Sequence, residues 1–173
     1  MLFQQKNGFT LVELIVTLAI FAILATIALP YFQDMKAKQE VNATTNKLIS
    51  TIHLAKSQAA LYHSNVVVCP SENKMNCQTS QWTAGLLVFL DSNKNRQIDT
   101  GEKIIYTEST DLKYGHLDWR GTLSVPSLTF QAENGLPIGS NGSFYYCSMV
   151  SDHHRKLVLS AMGHMRIENL SSC

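Results

Sequence analysis

At 173 residues, 45% of them hydrophobic, the chain can bury one ordinary core and is too short for two large domains. Its 14 basic and 13 acidic side chains leave a formal charge of +1, which excludes a global basic field for nucleic acid or a membrane surface. Four cysteines (Cys69, Cys77, Cys147 and Cys173), none in a CxxC pair, argue against zinc and thioredoxin-type chemistry.

The first element in chain order is an apolar run over residues 9–29, broken only by Thr10, Glu13, Thr17 and Thr26. As a helix it spans about 30 Å, the thickness of a bilayer's hydrocarbon core. Lys6 precedes it, favouring a cytoplasmic N-terminus. The run ends at LPYF rather than at a small-residue cleavage site, so a secretory signal is a poor reading. Glu13 stands out. A carboxylate inside a membrane helix costs roughly 2.5–3.5 kcal/mol on insertion scales, so it marks a functional position.

Gly8-Phe9-Thr10-Leu11-Val12-Glu13, followed by an apolar helix containing Pro30, closely resembles the N-terminus of bacterial type IV pilins and type II secretion pseudopilins. The resemblance implies that a prepilin peptidase removes residues 1–8, cutting between Gly8 and Phe9, and that Phe9 is then N-methylated. It also implies that Glu13 helps draw the Phe9 amine of an incoming subunit into a growing fibre. The physics agrees with that role. An isolated amine and an isolated carboxylate are both costly in hydrocarbon, and each neutralises the other when neighbouring protomers bring them together. Low dielectric strengthens the attraction, so the pair can set the axial register of adjacent helices.

Residues 30–62 continue the helix in amphipathic form. Pro30 lacks an N–H and is expected to kink rather than end it. Val41, Thr45, Leu48, Ile52, Ala55, Ala59 and Tyr62 recur at spacings of four and three, forming one stripe. Lys36, Lys38, Glu40, Lys47 and Lys56 fall largely off it. The stripe is expected to pack on the chain's own β-rich head. A helix from residue 9 to 62 would be on the order of 80 Å long.

Residues 63–173 have β texture. Strands are expected at 66–69, 85–90, 103–107, 127–131, 142–148, 156–161 and 164–168, separated by Asn, Gly, Ser and Pro turns. The fold class is therefore α+β: a long N-terminal helix packed on an antiparallel sheet or small sandwich. Export of this head makes two disulfides the natural inference. Cys69 and Cys77 bracket a short polar loop, and a Cys147–Cys173 bridge would tie down the terminal segment, so these pairs are preferred among three connectivities. Closing the second loop is worth roughly 3 kcal/mol.

The body, through VVVCPS, Cys77, Trp82, Gly85, VFLD and Gly163, resembles the GspH/FimT/FimU group of minor pilins, on the FimU-like side. That resemblance implies a minor pilin of the inner membrane, its head in the periplasm and later on an extracellular pilus. There it would join other minor and major pilins in a priming or tip complex. The alternatives are a secretion pseudopilin in a periplasmic pseudopilus and a FimT-like subunit that binds DNA. FimT-type subunits that bind DNA carry a GRxR motif; here Gly163-His164-Met165-Arg166 lacks the first arginine. Arg155, Lys156 and Arg166 are the cations available nearby, fewer than phosphate binding wants, and DNA binding is not favoured.

One loop has calcium-ligand spacing. Asp91, Asn93, Asn95, Gln97, Asp99 and Glu102 occupy positions 1, 3, 5, 7, 9 and 12 of a DxNxNxQxDxxE pattern. Arg96 stands where glycine normally makes the sharp turn, and strands flank the stretch. A hydrogen-bonded Asn/Asp turn is the favoured reading, and no cofactor is otherwise expected. Catalysis is not expected either. Ser151, Asp152, His153 and His154 are adjacent in sequence, which is not triad geometry, and neither GxSxG nor HExxH occurs.

Overall fold

The computed structural model describes residues 9–173, and residues 1–8, Gly8 included, lie outside the described residues. The chain divides into two compact units at the Met35–Lys36 bond. A single helix, α1 (Leu11–Tyr62), begins in the first unit and ends in the second, with Pro30 inside it. Up to residue 35 no side chain on it is buried. Its most apolar 18-residue window has a mean hydropathy of 2.6, so the segment is long and apolar enough to cross a membrane. His63 then takes a left-handed φ of 47°, the conformation that commonly stops a helix.

The second unit holds eight strands: β1 (Asn65–Pro70), β2 (Gly85–Asp91), β3 (Ile104–Ser109), β4 (Gly115–Gly121), β5 (Leu128–Phe130), β6 (Gly142–Ser148), β7 (His154–Leu159) and β8 (Met165–Leu170). They form two four-stranded antiparallel sheets, ordered β3-β2-β1-β5 and β4-β6-β7-β8. β3 and β5 edge the first sheet, β4 and β8 the second. The expected α+β architecture holds, with a pair of sheets on one helix.

The core follows from two periodicities. On α1, Ala37, Val41, Thr44, Thr45, Leu48, Thr51, Ile52, Ala55 and Ala59 are buried, a stripe at helical spacing. They meet the alternate residues of both sheets: Val66, Val68, Leu86, Val88, Leu128 and Phe130 from the first, Leu117, Trp119, Phe144, Tyr146, Leu157 and Leu159 from the second. Val67, Cys69, Leu87 and Phe89 form a smaller cluster on the other face of the first sheet, with Cys77 and Ile98 packed against it. β1 and β2 are thus buried on both faces, which is why they read as continuous apolar runs rather than alternations.

Three sequence expectations need correction. Tyr62 does not join the buried stripe: it is exposed, accepts a 3.0 Å hydrogen bond from Lys103 Nζ and carries that ammonium over its ring. Strand β4 was not foreseen. In GHLDWRG, Leu117 and Trp119 face the core while His116, Asp118 and Arg120 face outward, and the three polar side chains mask a strand whose apolar half is only two residues. β7 begins two residues before the expected start, where His154 and Arg155 pair with Leu170 and Asn169.

Candidate functional site

The N-terminal segment is built around one carboxylate. Thr10 is the residue before the helix, and its Oγ1 accepts the Glu13 N–H at 3.2 Å. Glu13 Oε2 in return accepts the Thr10 N–H at 3.5 Å and the Thr10 hydroxyl at 3.4 Å. This reciprocal pair is a capping box, Thr-x-x-Glu, which supplies acceptors to helix-start N–H groups that lack partners within the helix. A carboxylate in the first turn also faces the positive end of the helix dipole. The sequence signal was present, Thr three residues before Glu, and the assembly reading of Glu13 passed over it. Phe9, adjacent to this cap, is 80% exposed, and the apolar side chains that follow it up to Leu29 are exposed as well.

In the second unit another glutamate ties helix to sheet. Glu40 accepts hydrogen bonds from the Lys113 N–H at 2.8 Å, the Tyr114 N–H at 3.0 Å and the Tyr146 hydroxyl at 2.8 Å. Burial of Tyr146, followed by its bond to Glu40, pushes the phenol well above the ordinary tyrosine range. Lys47 pairs with Glu108 at 2.5 Å, and Tyr106 donates to the same carboxylate, so Glu108 is held below the usual carboxylate value by the lysine first and the tyrosine second.

The structure contains two disulfides, Cys69–Cys77 and Cys147–Cys173. The first pins the 70–77 loop against β1, and the second fixes the segment after β8 to β6.

The calcium-spaced residues come together on one loop, closed by its own N–H groups. Asp91 accepts the Asn95 and Arg96 N–H groups at 3.1 and 3.0 Å, Asn93 Oδ1 accepts Asn95 N–H, and Asn95 Oδ1 accepts Gln97 N–H. Asp99 takes the side-chain amides of Asn93 and Asn95, and Glu102 takes the N–H groups of Ser92 and Asp99. Lys94 and Arg96 adopt φ values of 63° and 62°, so Arg96 makes the sharp turn that glycine would otherwise supply. Among the described residues no group of three or more His, Cys, Asp or Glu side chains is placed to hold a metal ion.

The three candidate DNA contacts are engaged elsewhere. Lys156 and Arg166 both pair with Glu168, at 3.3 and 2.5 Å, which holds Glu168 below the usual carboxylate range. Arg155 turns inward and donates to Asn42 Oδ1 at 2.8 Å on α1. His154 Nδ1 accepts the Ser148 N–H at 3.1 Å, so that ring nitrogen stabilises a turn.

Known structures share this arrangement. The type IV minor pilin FimU of Pseudomonas aeruginosa matches with a TM-score of 0.57 and 18% identity, covering 75% of this chain and 89% of that one. The minor pseudopilin EpsH from the Type 2 Secretion System of Vibrio cholerae matches with a TM-score of 0.52 and 11% identity, over 75% and 97% of the two chains. At such identities the likeness is one of fold, and the fold is that of pilin-like subunits. Among curated relatives, the fimbrial protein EcpB of Eikenella corrodens is 38% identical over 112 residues, 64% of this chain and 63% of its own length. A fimbrial protein of Pseudomonas aeruginosa is 37% identical over 64 residues, 37% of this chain and 41% of its own. Residues 4–29 match the prokaryotic N-terminal methylation motif, and residues 44–163 match the Type II transport protein GspH family. The chain belongs to that family.

Proposed function

We propose that this protein is a minor type IV pilin, FimU-like, that takes part in priming and assembling a pilus within a tip complex of minor pilins. Prepilin peptidase cuts between Gly8 and Phe9, and Phe9 becomes the methylated N-terminus. The subunit waits in the inner membrane with its β-rich unit in the periplasm, then moves into the extracellular fibre. Its work is assembly, without catalysis and without a cofactor.

The observation that carries this reading is Glu13: an acid held at the start of an otherwise apolar helical segment, residues 11–29, that buries no side chain. Released from Met1 to Gly8, the Phe9 amine of one protomer is the charge that answers it on the next. The experiment is N-terminal mass spectrometry of the native protein, together with a Glu13→Ala strain. The reading expects a mature chain starting at methylated Phe9 and loss of surface pili with the β-rich unit still folded. A chain starting at Met1, or full piliation by Glu13→Ala, refutes it.

A second reading, a pseudopilin of a secretion system, is supported by the GspH family match. Deletion separates the two: loss of pili with secretion intact supports the first, and the reverse supports the second. A FimT-like DNA role draws no support from cations that share Glu168 or bind α1, and a low-salt gel shift tests it directly.

A further inference from the structure

The second unit is tethered close to the surface its helix enters. Tyr31 follows the apolar run 9–29, and tyrosine is enriched at the boundary between membrane and water. Lys36, where the second unit begins, stands five residues past Tyr31, no more than about 18 Å of chain. One end of the unit is therefore confined within reach of lipid headgroups.

Contacts within the unit show what that end presents. Glu40, four residues after Lys36, accepts from the Tyr146 hydroxyl on β6, and Arg155 on β7 donates to Asn42. Past the end of β7, a Cβ at Gly163 would lie 3.4 Å from Lys56 Nζ. β7 thus climbs α1 from Asn42 towards Lys56, and the antiparallel β6 descends it. Three residues past Tyr146, about 10 Å further at strand rise, the chain turns at Met149 and Val150. This turn projects from the end at which the chain enters the unit.

Two observations set the turn apart from one built for water. Met149 and Val150 are consecutive apolar residues, 65% and 46% exposed, where solvent-facing turns normally carry polar ones. The turn also keeps none of its N–H groups for solvent. The Met149 N–H donates to the Tyr114 carbonyl at 2.8 Å and the Ser148 N–H to His154 Nδ1 at 3.1 Å. Those of Val150 and Ser151 both reach the Ser148 hydroxyl, at 3.4 and 3.3 Å. Water satisfies exposed N–H groups and lipid does not, so internal partners for four in a row are what entry into a bilayer requires. Charge at this end cancels, Lys36, Lys38 and Lys113 against Glu40, Asp111 and Asp152, so the attraction is apolar and independent of anionic lipid.

We propose that the Met149–Val150 turn is a membrane-docking tip that inserts both side chains among the lipid headgroups of the bilayer that holds α1. The inference rests on the membrane stage of the reading above. It adds a second lipid contact, which steadies the β-rich unit on the bilayer until the helix leaves for a fibre.

The test places the full chain in phosphatidylcholine nanodiscs, one copy per disc, with the lipid brominated on its acyl chains. Val150→Trp, Leu123→Trp and Phe21→Trp, made singly, report quenching over the background of Trp82 and Trp119, both buried. Met149→Trp repeats the reading beside residue 150. Leu123 is the exposed control: it follows β4, which pairs with Ser148 at Gly115 and runs about 20 Å away to Gly121. Quenching is expected at residues 21, 149 and 150 and not at 123, with no change on adding anionic lipid or salt. Emission at residues 149 and 150 as unquenched as at 123, with residue 21 quenched, overturns the proposal and leaves the membrane stage standing. No quenching at residue 21 overturns the membrane stage, and this inference with it. Shielding of residue 150 from acrylamide only when several copies share a disc also overturns the proposal, and gives the turn to a second protomer.

Discussion

Replacing Glu40 by alanine tests how the β-rich unit is fastened to its helix. Three donors lose their acceptor at once. The Lys113 N–H sits on an exposed residue and regains water, so its loss is worth about 0.5 kcal/mol. The half-buried Tyr114 N–H contributes about 1 kcal/mol. Tyr146 is 1% exposed, and stranding its hydroxyl costs about 2 kcal/mol. The sum, about 3–4 kcal/mol, corresponds to a fall in melting temperature of about 10 °C for a chain of this size. Thermal unfolding of the full chain in detergent, followed by circular dichroism with disulfides intact, reads it. Tyr146→Phe should cost less, because it removes the stranded donor together with its bond, and Glu40→Ala in that background should lose only the loop contribution. Tyrosinate absorbance gives an independent readout: the elevated phenol stabilises the fold below the ordinary tyrosine range, and that stability is lost as pH rises above it. A shift under about 2 °C for Glu40→Ala would refute the idea that this carboxylate fastens the loop.

Asp91→Ala removes the acceptor of two backbone N–H groups from a residue 1% exposed and should cost about 2 kcal/mol, in chelator as much as in calcium; a loss confined to calcium would make the loop a cation site instead. Glu108 and Glu168 are both held low, so they stabilise the fold above the ordinary carboxylate range and release it as pH falls through their depressed values. Acid titration of wild type against a Glu108→Gln variant should therefore show the steeper loss in wild type below the ordinary carboxylate range, and parallel curves would contradict this. Replacing both Cys147 and Cys173 by serine opens a link of sequence separation 26, worth roughly 3 kcal/mol, and a melting temperature equal to wild type would count against that contribution.

Long-period features were readable from the sequence, and long-range ones were not. The helix stripe and most strands announce themselves by spacing alone. Strand β4 escaped because its outward residues are His116, Asp118 and Arg120, so composition spoke for a loop while only Leu117 and Trp119 spoke for a strand. Glu40 was sorted to the solvent face by helical periodicity, and nothing local reveals that a loop 73 residues later folds over it. The Glu13 cap lies on the other side of that line, since Thr10 stands three positions before it in plain view. Arg96, Leu123 and Ser124 take left-handed backbone, and none of these residue types gives warning of it.

The sheet edges carry a final consequence. β4 shows His116, Asp118 and Arg120 along one rim, and β8 shows Arg166 and Glu168 along the opposite one. Charged rims resist the strand-to-strand stacking that turns open sheets into amyloid-like ribbons. Along these two edges a further copy of the same sheet would have to bring charge against charge, so self-pairing through β4 or β8 is disfavoured.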